Sequence, residues 1–175
     1  MAAKTDKSLY AWALLRVSLG FVFLWAFFDK LFGLGFATCR DKLDQIHTLC
    51  AQAWVHGGSP TSGFLGHATK GPLIDFYHKL AGKTWVDWLF MAGLAVVGIG
   101  LLLGVWVRMA TIFGIMMMLL MWSSLLWPAN NPFIDDHVIN ILALIGIYLT
   151  ADRQVWSLHH WWAKTPIAKA LPFLK

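Results

Sequence analysis

Asp135, Asp136, His137 and Asn140 are the residues whose types and spacing could do chemistry. They belong to the stretch Asn130-Asn131-Pro132-Phe133-Ile134-Asp135-Asp136-His137, which lies between two apolar runs, Met109–Trp127 and Val138–Leu149. Carboxylates and an imidazole at the lip of an apolar segment are costly unless something uses them. On a helix, Asp136 and Asn140 share a face and His137 neighbours Asn140. Such a group can donate a hydrogen bond to a quinone carbonyl from His137 and relay a proton through an adjacent Asp. A second reading remains open beside it. Asn131 or Asp135 can simply cap a helix, with the acids favoured by the helix dipole.

The remaining polar residues that could join this site sit in or beside other apolar runs. Arg16, Asp29 and Lys30 lie on the first run. Arg16 and Lys30 fall within roughly 40° of each other on a helix and about 21 Å apart along it, with Asp29 facing nearly the opposite way. Lys30 is predicted at the depth of Asp135 and Asp136, which invites an ion pair with one of them. Arg16 either snorkels to the near headgroups or faces a bundle interior. Trp25, Phe28, Phe32, Trp122 and Trp127 are available to wall an aromatic slot.

The elements that must position these residues follow from composition. The chain has 175 residues, 58% hydrophobic and 13% charged, with 11 Trp, and a mean hydropathy of +0.61. A single soluble domain of this size cannot hide so much apolar surface. The expected fold is all-α: an integral membrane four-helix bundle forming one domain over 1–175, with helices at about 9–34, 85–107, 109–127 and 132–151. A long outer loop at 36–84 carries short helices, and an interfacial tail covers 152–175. The first run is too long for a cleaved signal and reads as an anchor. The fourth apolar run is only about a dozen residues where a span needs roughly 20, so its helix must extend through Asp135–His137, past Asp152-Arg153, or both. The glycines at 93, 98, 100 and 104 suit close helix packing, and Gly20 on the Arg16 face leaves room for a neighbouring helix or a ligand.

Within the outer loop, Arg40–Trp54 has helical composition. Pro72–Ala81 is predicted helical, with Leu73, Phe76, Tyr77 and Leu80 on one side. Cys39 and Cys50 are the only cysteines. On one continuous helix they would be about 16 Å apart, so a disulfide requires a bend. Unpaired thiols and a redox pair are the alternatives. His47, His56, His67 and His78 match no close metal-ligand pattern, and no metal site is expected. Neighbouring His159 and His160 diverge on a helix, and the Met116-Met117-Met118 run with Met121 suits packing. No haem, dinucleotide or iron–sulfur motif is present. A quinone, as substrate or bound ligand, is therefore the simplest redox partner.

The net charge of +5 comes from cations flanking apolar runs, so membrane topology explains it and nucleic acid does not. Lys4, Lys7, Arg108, Arg153, Lys164, Lys169 and Lys175 fall on the side of both termini. The connection between the third and fourth helices carries no Lys or Arg. This predicts a multi-pass protein of a prokaryotic cell membrane with both termini cytoplasmic.

Four segments together resemble the DoxX/DoxD family of small four-helix membrane proteins. They are Arg16–Phe21, Asp29–Phe36, Gly57-Gly58-Ser59-Pro60-Thr61-Ser62-Gly63-Phe64-Leu65 and Asn131–His137. The piece Cys39–Ala53 looks longer than the equivalent connection in typical relatives. The resemblance implies a membrane subunit of thiosulfate:quinone oxidoreductase that works with a second small subunit and passes electrons from thiosulfate to quinone. Asp135, Asp136 and His137 would then be catalytic. Arg16, Asp29, Lys30, Asn140, Trp25, Trp122 and Trp127 would bind substrate or quinone. Two other readings stay open: a scaffold that recruits redox proteins, self-associated or not, and a transporter of a small anion.

Overall fold

The computed structural model describes residues 6–41, 43–129 and 131–171. Asn130, Lys4 and Lys175, named above, lie outside the described residues. The elements are helical: α1 Ser8–Phe32, α2 Ile74–Leu80, α3 Thr84–Leu103, α4 Val107–Ser124, α5 Asp136–Leu149, α6 His159–Trp162 and α7 Pro166–Ala170. Among the described residues, extended pairing is limited to one isolated bridge, Arg40 with Ile46. α1, α3 and α4, of 25, 20 and 18 residues, are long and apolar enough to cross a membrane. α5 is a shorter apolar helix of 14 residues. It starts at Asp136, so the ionisable residues are drawn into its first turn, and it stops before Asp152.

Helix ends follow local chemistry. Gly33 (φ 63°) and Gly104 (φ 69°) take the left-handed conformation that terminates α1 and α3. α3 therefore ends four residues before the expected 107, and Val105 and Trp106 make the turn into α4. α4 ends at Ser124, short of 127, ahead of Pro128, whose ring disfavours helix in the residue before it.

The core is contributed by α1 (Leu19, Phe23), α3 (Met91, Leu94, Val97, Leu101), α4 (Val107, Ala110, Met118) and α5 (Leu144, Ile147). The outward faces are also apolar, as Leu14, Phe21, Val22, Leu89, Leu120 and Leu142 show. A helix apolar all round suits a lipid surrounding. α1 and α3 cross closely at two glycines. A methyl on Gly20 would lie 2.5 Å from the Leu102 nitrogen, and one on Gly98 2.8 Å from the Leu24 nitrogen. No side chain fits either crossing, which is the packing role predicted for Gly98 and, at Gly20, puts a neighbouring helix in the space left open for a helix or a ligand.

The connection from α1 to α3 is tied down at three points. Cys39 and Cys50 form a disulfide, with Cα atoms 5.7 Å apart. The helix expected over Arg40–Trp54 does not form. Asp41 instead accepts hydrogen bonds from the Leu43 and Gln45 amides at 2.8 Å each, folding a tight turn that brings Arg40 opposite Ile46. That turn is the bend a bridge required, and the short polar side chain of Asp41 competes with the helix for backbone donors. α2 lies within the predicted 72–81 segment. Of its proposed apolar side, Tyr77 is buried and Phe76 and Leu73 are exposed. The Tyr77 hydroxyl reaches the Leu120 carbonyl (3.1 Å) and Ser123 Oγ (2.6 Å), docking α2 on the end of α4.

At the other end the chain folds back onto the α3–α4 turn. The Leu158 amide donates to the Leu103 carbonyl at 3.0 Å. Trp162 packs edge-on against Trp106 at 4.8 Å, and Tyr10 against Trp156 at 5.6 Å. The start of α1 and the segment after α5 thus share one end, called the basal end below. The long connection and the turn before α5 lie at the opposite, outer end.

Candidate functional site

The turn before α5 is built by Asn131 and Asp135. Asn131 Oδ1 accepts from the Phe133 and Ile134 amides at 3.0 and 2.6 Å, and its Nδ2 donates to the Ile134 carbonyl. Asp135 Oδ1 accepts from the His137 and Val138 amides at 3.0 and 3.2 Å and caps α5. Its Oδ2 lies 2.8 Å from His137 Nδ1. The side chains of His137 and Asp135 are only 18% and 21% exposed. Burial pushes the Asp135 carboxyl up, but the His137 ring and the two amides outweigh it and hold it below the ordinary carboxylate range. The capping and site readings therefore meet in one residue: Asp135 caps with one oxygen and holds His137 with the other.

The dyad is Asp135–His137, not Asp136–His137. Asp136 is exposed, Asn140 is half-buried, and neither side chain makes a hydrogen bond among the described residues. Trp122 Nε1 donates to the Phe133 carbonyl at 3.0 Å, and Trp127 packs edge-on to Phe133 at 6.2 Å. Both tryptophans thus support the turn that carries the dyad. His137 Nε2 has no hydrogen-bond partner among the described residues.

The other expected site residues fall elsewhere. Lys30 makes no ion pair with Asp135 or Asp136. Its ammonium lies 6.0 Å from the centre of the Phe90 ring on α3, whereas α5 packs chiefly on α4. Similar depth in the membrane therefore does not make Lys30 a neighbour of the dyad. Asp29 is 1% exposed, and its two oxygens accept from the Phe36 and Ala37 amides at 3.0 and 2.9 Å. Trp25 stacks with Phe21 and meets Phe36 edge-on. Trp25, Asp29 and Lys30 line one slot together with Phe36, and no residue of 131–140 lines it.

Arg16 is at the basal end and does not snorkel; its exposure is 0%. Its Nε donates to Gln154 Oε1 at 2.8 Å, and Nη2 donates to the Val155 and Trp156 carbonyls at 3.2 and 2.8 Å. Nη1 reaches the Leu101 carbonyl near the end of α3. The structure therefore places Arg16 apart from the dyad, with its donors occupied by neutral oxygens.

Asp87 was not singled out from sequence. It is buried in the first turn of α3, where it accepts from Ser59 Oγ (2.9 Å), the Thr61 amide (3.2 Å) and Thr61 Oγ1 (2.6 Å). It anchors the Gly57–Gly63 turn. The signal available was a lone acid at the mouth of an apolar helix that follows a Ser-Pro-Thr-Ser run.

No family model, curated protein or solved structure matches the chain. What fold and site define is a class. Among the described residues the fold is all-helical, and three helices are long and apolar enough to cross a membrane. A capped imidazole–carboxylate pair stands at the mouth of a fourth, shorter helix.

Proposed function

We propose that the chain is a four-helix integral membrane protein that serves as the membrane subunit of a quinone-linked oxidoreductase. The observation that carries this reading is the Asp135–His137 pair with Nε2 left over. The carboxylate keeps a proton on Nδ1 and aims the ring, as in other acid–imidazole pairs. In the imidazolium form, Nε2–H can donate to a quinone carbonyl and release its proton as the quinone takes up electrons. Reduction to quinol consumes two electrons and two protons; His137 releases one and, reprotonated from water at the outer end, releases the second. Thiosulfate is the candidate donor, because two thiosulfates release two electrons on joining into tetrathionate. That choice rests on the DoxX/DoxD resemblance and on the exposed outer-end cations Lys70, Lys79 and Lys83. Electron transfer between the two involves a second subunit carrying the thiosulfate chemistry.

α5 is the fourth crossing in this reading. Its 14 residues span about 21 Å, and local thinning of the bilayer or the flanking turns make up the difference. The outer end faces the outside of a prokaryotic cell, since disulfides persist in oxidising compartments. Lys7, Arg108, Arg153, Lys164 and Lys169 are then cytoplasmic, in keeping with the positive-inside rule; Lys70, Lys79 and Lys83 count against it but sit in a long connection, where the rule is weaker.

A scaffold for redox partners is the second reading. It is favoured by the way Asp29, Asp87 and Asp135 each accept backbone amides and make the outer end a fixed platform. The deciding experiment measures thiosulfate-dependent reduction of decylubiquinone by membranes containing the chain and its partner subunit. Asn caps a helix about as well as Asp, so Asp135→Asn keeps α5 in place while removing the charge. His137→Gln and Asp135→Asn are expected to lower turnover by about 100-fold or more. Folded variants that turn over at the wild-type rate reject the catalytic reading. Normal capture of the partner by those variants, with no quinone binding by the wild type, establishes the scaffold.

A further inference from the structure

A slot of about 260 Å³ runs along the outer half of α1. Phe21, Val22, Trp25 and Lys30 form its helical wall, and Phe36 and Ala37 of the following turn close its outer end. From Phe21 to Lys30 it extends about 13 Å along the axis. Phe21 and Val22 are more than half exposed on the apolar outer surface of the helix, so the slot opens toward lipid. Trp25 is fixed between Phe21, stacked at 5.8 Å, and Phe36, edge-on at 5.1 Å.

The polar content of this slot is unbalanced. Asp29 borders it, but both its oxygens are committed to the Phe36 and Ala37 amides. Lys30 makes no hydrogen bond and no ion pair among the described residues, and its nearest aromatic partner is the Phe90 ring at 6.0 Å. A half-buried ammonium with three donors and no acceptor is costly at the end of an apolar groove. An oxyanion entering from the bilayer would remove that cost, and the apolar wall below would take a hydrocarbon chain.

We propose that the slot binds an anionic phospholipid, with Lys30 donating to the phosphate and the acyl chain lying along Phe21, Val22 and Trp25. Lys is suited to phosphate as a point charge. The site is separate from the Asp135–His137 dyad and does not depend on the quinone reading.

The test is native mass spectrometry of the full-length protein in neutral detergent, titrated with phosphatidylglycerol or phosphatidylcholine. The wild type is expected to retain phosphatidylglycerol about tenfold better, the order expected of one charge-assisted hydrogen bond. Lys30→Met should erase that preference and Lys30→Arg should keep it. Val22→Trp, at an exposed position, fills the slot without changing charge and should lower phosphatidylglycerol retention. Equal retention of the two lipids by the wild type overturns the proposal. So does a preference that survives Lys30→Met, or full retention by Val22→Trp, which decides the matter alone if Lys30→Met does not fold. Displacement of the lipid one-for-one by decylubiquinone would make the slot a quinone site and also overturn it. Turnover by the His137 variants is scored separately, so the two readings fail independently.

Discussion

Replacing Arg16 by Met tests whether the basal end is held by this side chain. The guanidinium is fully buried and joins α1 to the end of α3 and to residues 154–156, with no carboxylate among its partners. Leu101 lies in the last turn of α3, where carbonyls have no helical donor. The negative end of that helix also favours a cation. Met fits the volume and removes the burial cost of the charge, so the four bonds cannot simply be added. What remains are the Leu101, Val155 and Trp156 carbonyls, each orphaned at about 1–3 kcal/mol, with water repaying part. A net loss of about 3–5 kcal/mol follows. At about 2–4 °C per kcal/mol, Tm falls by roughly 6–20 °C. The assay is thermal unfolding in detergent by tryptophan fluorescence, with limited proteolysis of the segment after α5. Arg16→Lys, which has one ammonium in place of a fork, should fall between. A Tm for Arg16→Met within about 2 °C of wild type, with unchanged proteolysis of that segment, refutes the reasoning.

Three further outcomes follow from the geometry. Asp87→Ala removes the acceptor for Ser59 and Thr61 and should cost about 1–3 kcal/mol. It should speed hydrogen exchange at the Thr61 amide, while Asp87→Asn should retain part of the protection. Gly98→Leu forces α1 away from α3, because even a methyl there lies 2.8 Å from the Leu24 backbone. It should sharply reduce the folded fraction in size-exclusion chromatography, whereas Gly63→Ala, with nothing within 4 Å, should be silent. The Asp135 carboxyl is held below its ordinary range when folded. Its contribution is therefore complete above the unfolded value of about 4 and is lost as pH falls through the lower folded value. Protection of the His137 and Val138 amides should decline only below about pH 4, and that decline should be absent in Asp135→Asn.

The long helices were legible because each needs only an apolar run with a stop, and Gly33, Gly104 and Pro128 supply stops that act locally. Asp135 was legible as a cap for the same reason: its donors are two and three residues away. Long-range partners were not. Arg16 reads either as snorkelling or as facing the bundle, because Gln154 lies 138 positions later and nothing local distinguishes a snorkelling Arg from a caged one. Asp87 meets Thr61 across 26 positions and reads in isolation as an ordinary acid at a helix start. The Lys30 expectation failed on azimuth. Hydropathy and charge counting fix depth in a membrane, and they do not fix which neighbour a residue faces. At 40–54, composition favoured helix, while Asp41 and the disulfide selected a turn.

Hydrogen-bonding capacity separates the two ends more sharply than charge does. At the basal end Arg16 makes four hydrogen bonds to oxygens of its own chain. At the outer end, Asp29, Asp87 and Asp135 are likewise engaged with amides. Half-buried groups there that keep donor or acceptor capacity among the described residues include His137 Nε2, on a ring oriented by a carboxylate, the Asn140 amide, and the ammonium of Lys30, a residue that lines an apolar slot. A folded chain rarely leaves a fully buried polar atom without a partner, and none of these atoms is fully buried. The proposed quinone and lipid contacts fall on two of them. They differ in kind. In those proposals the imidazole, oriented by a carboxylate, is assigned to turnover, whereas the ammonium offers a fixed positive charge and is assigned to a resident anion. The proposed chemistry and the proposed lipid anchorage would thus share the outer end while remaining on different helices.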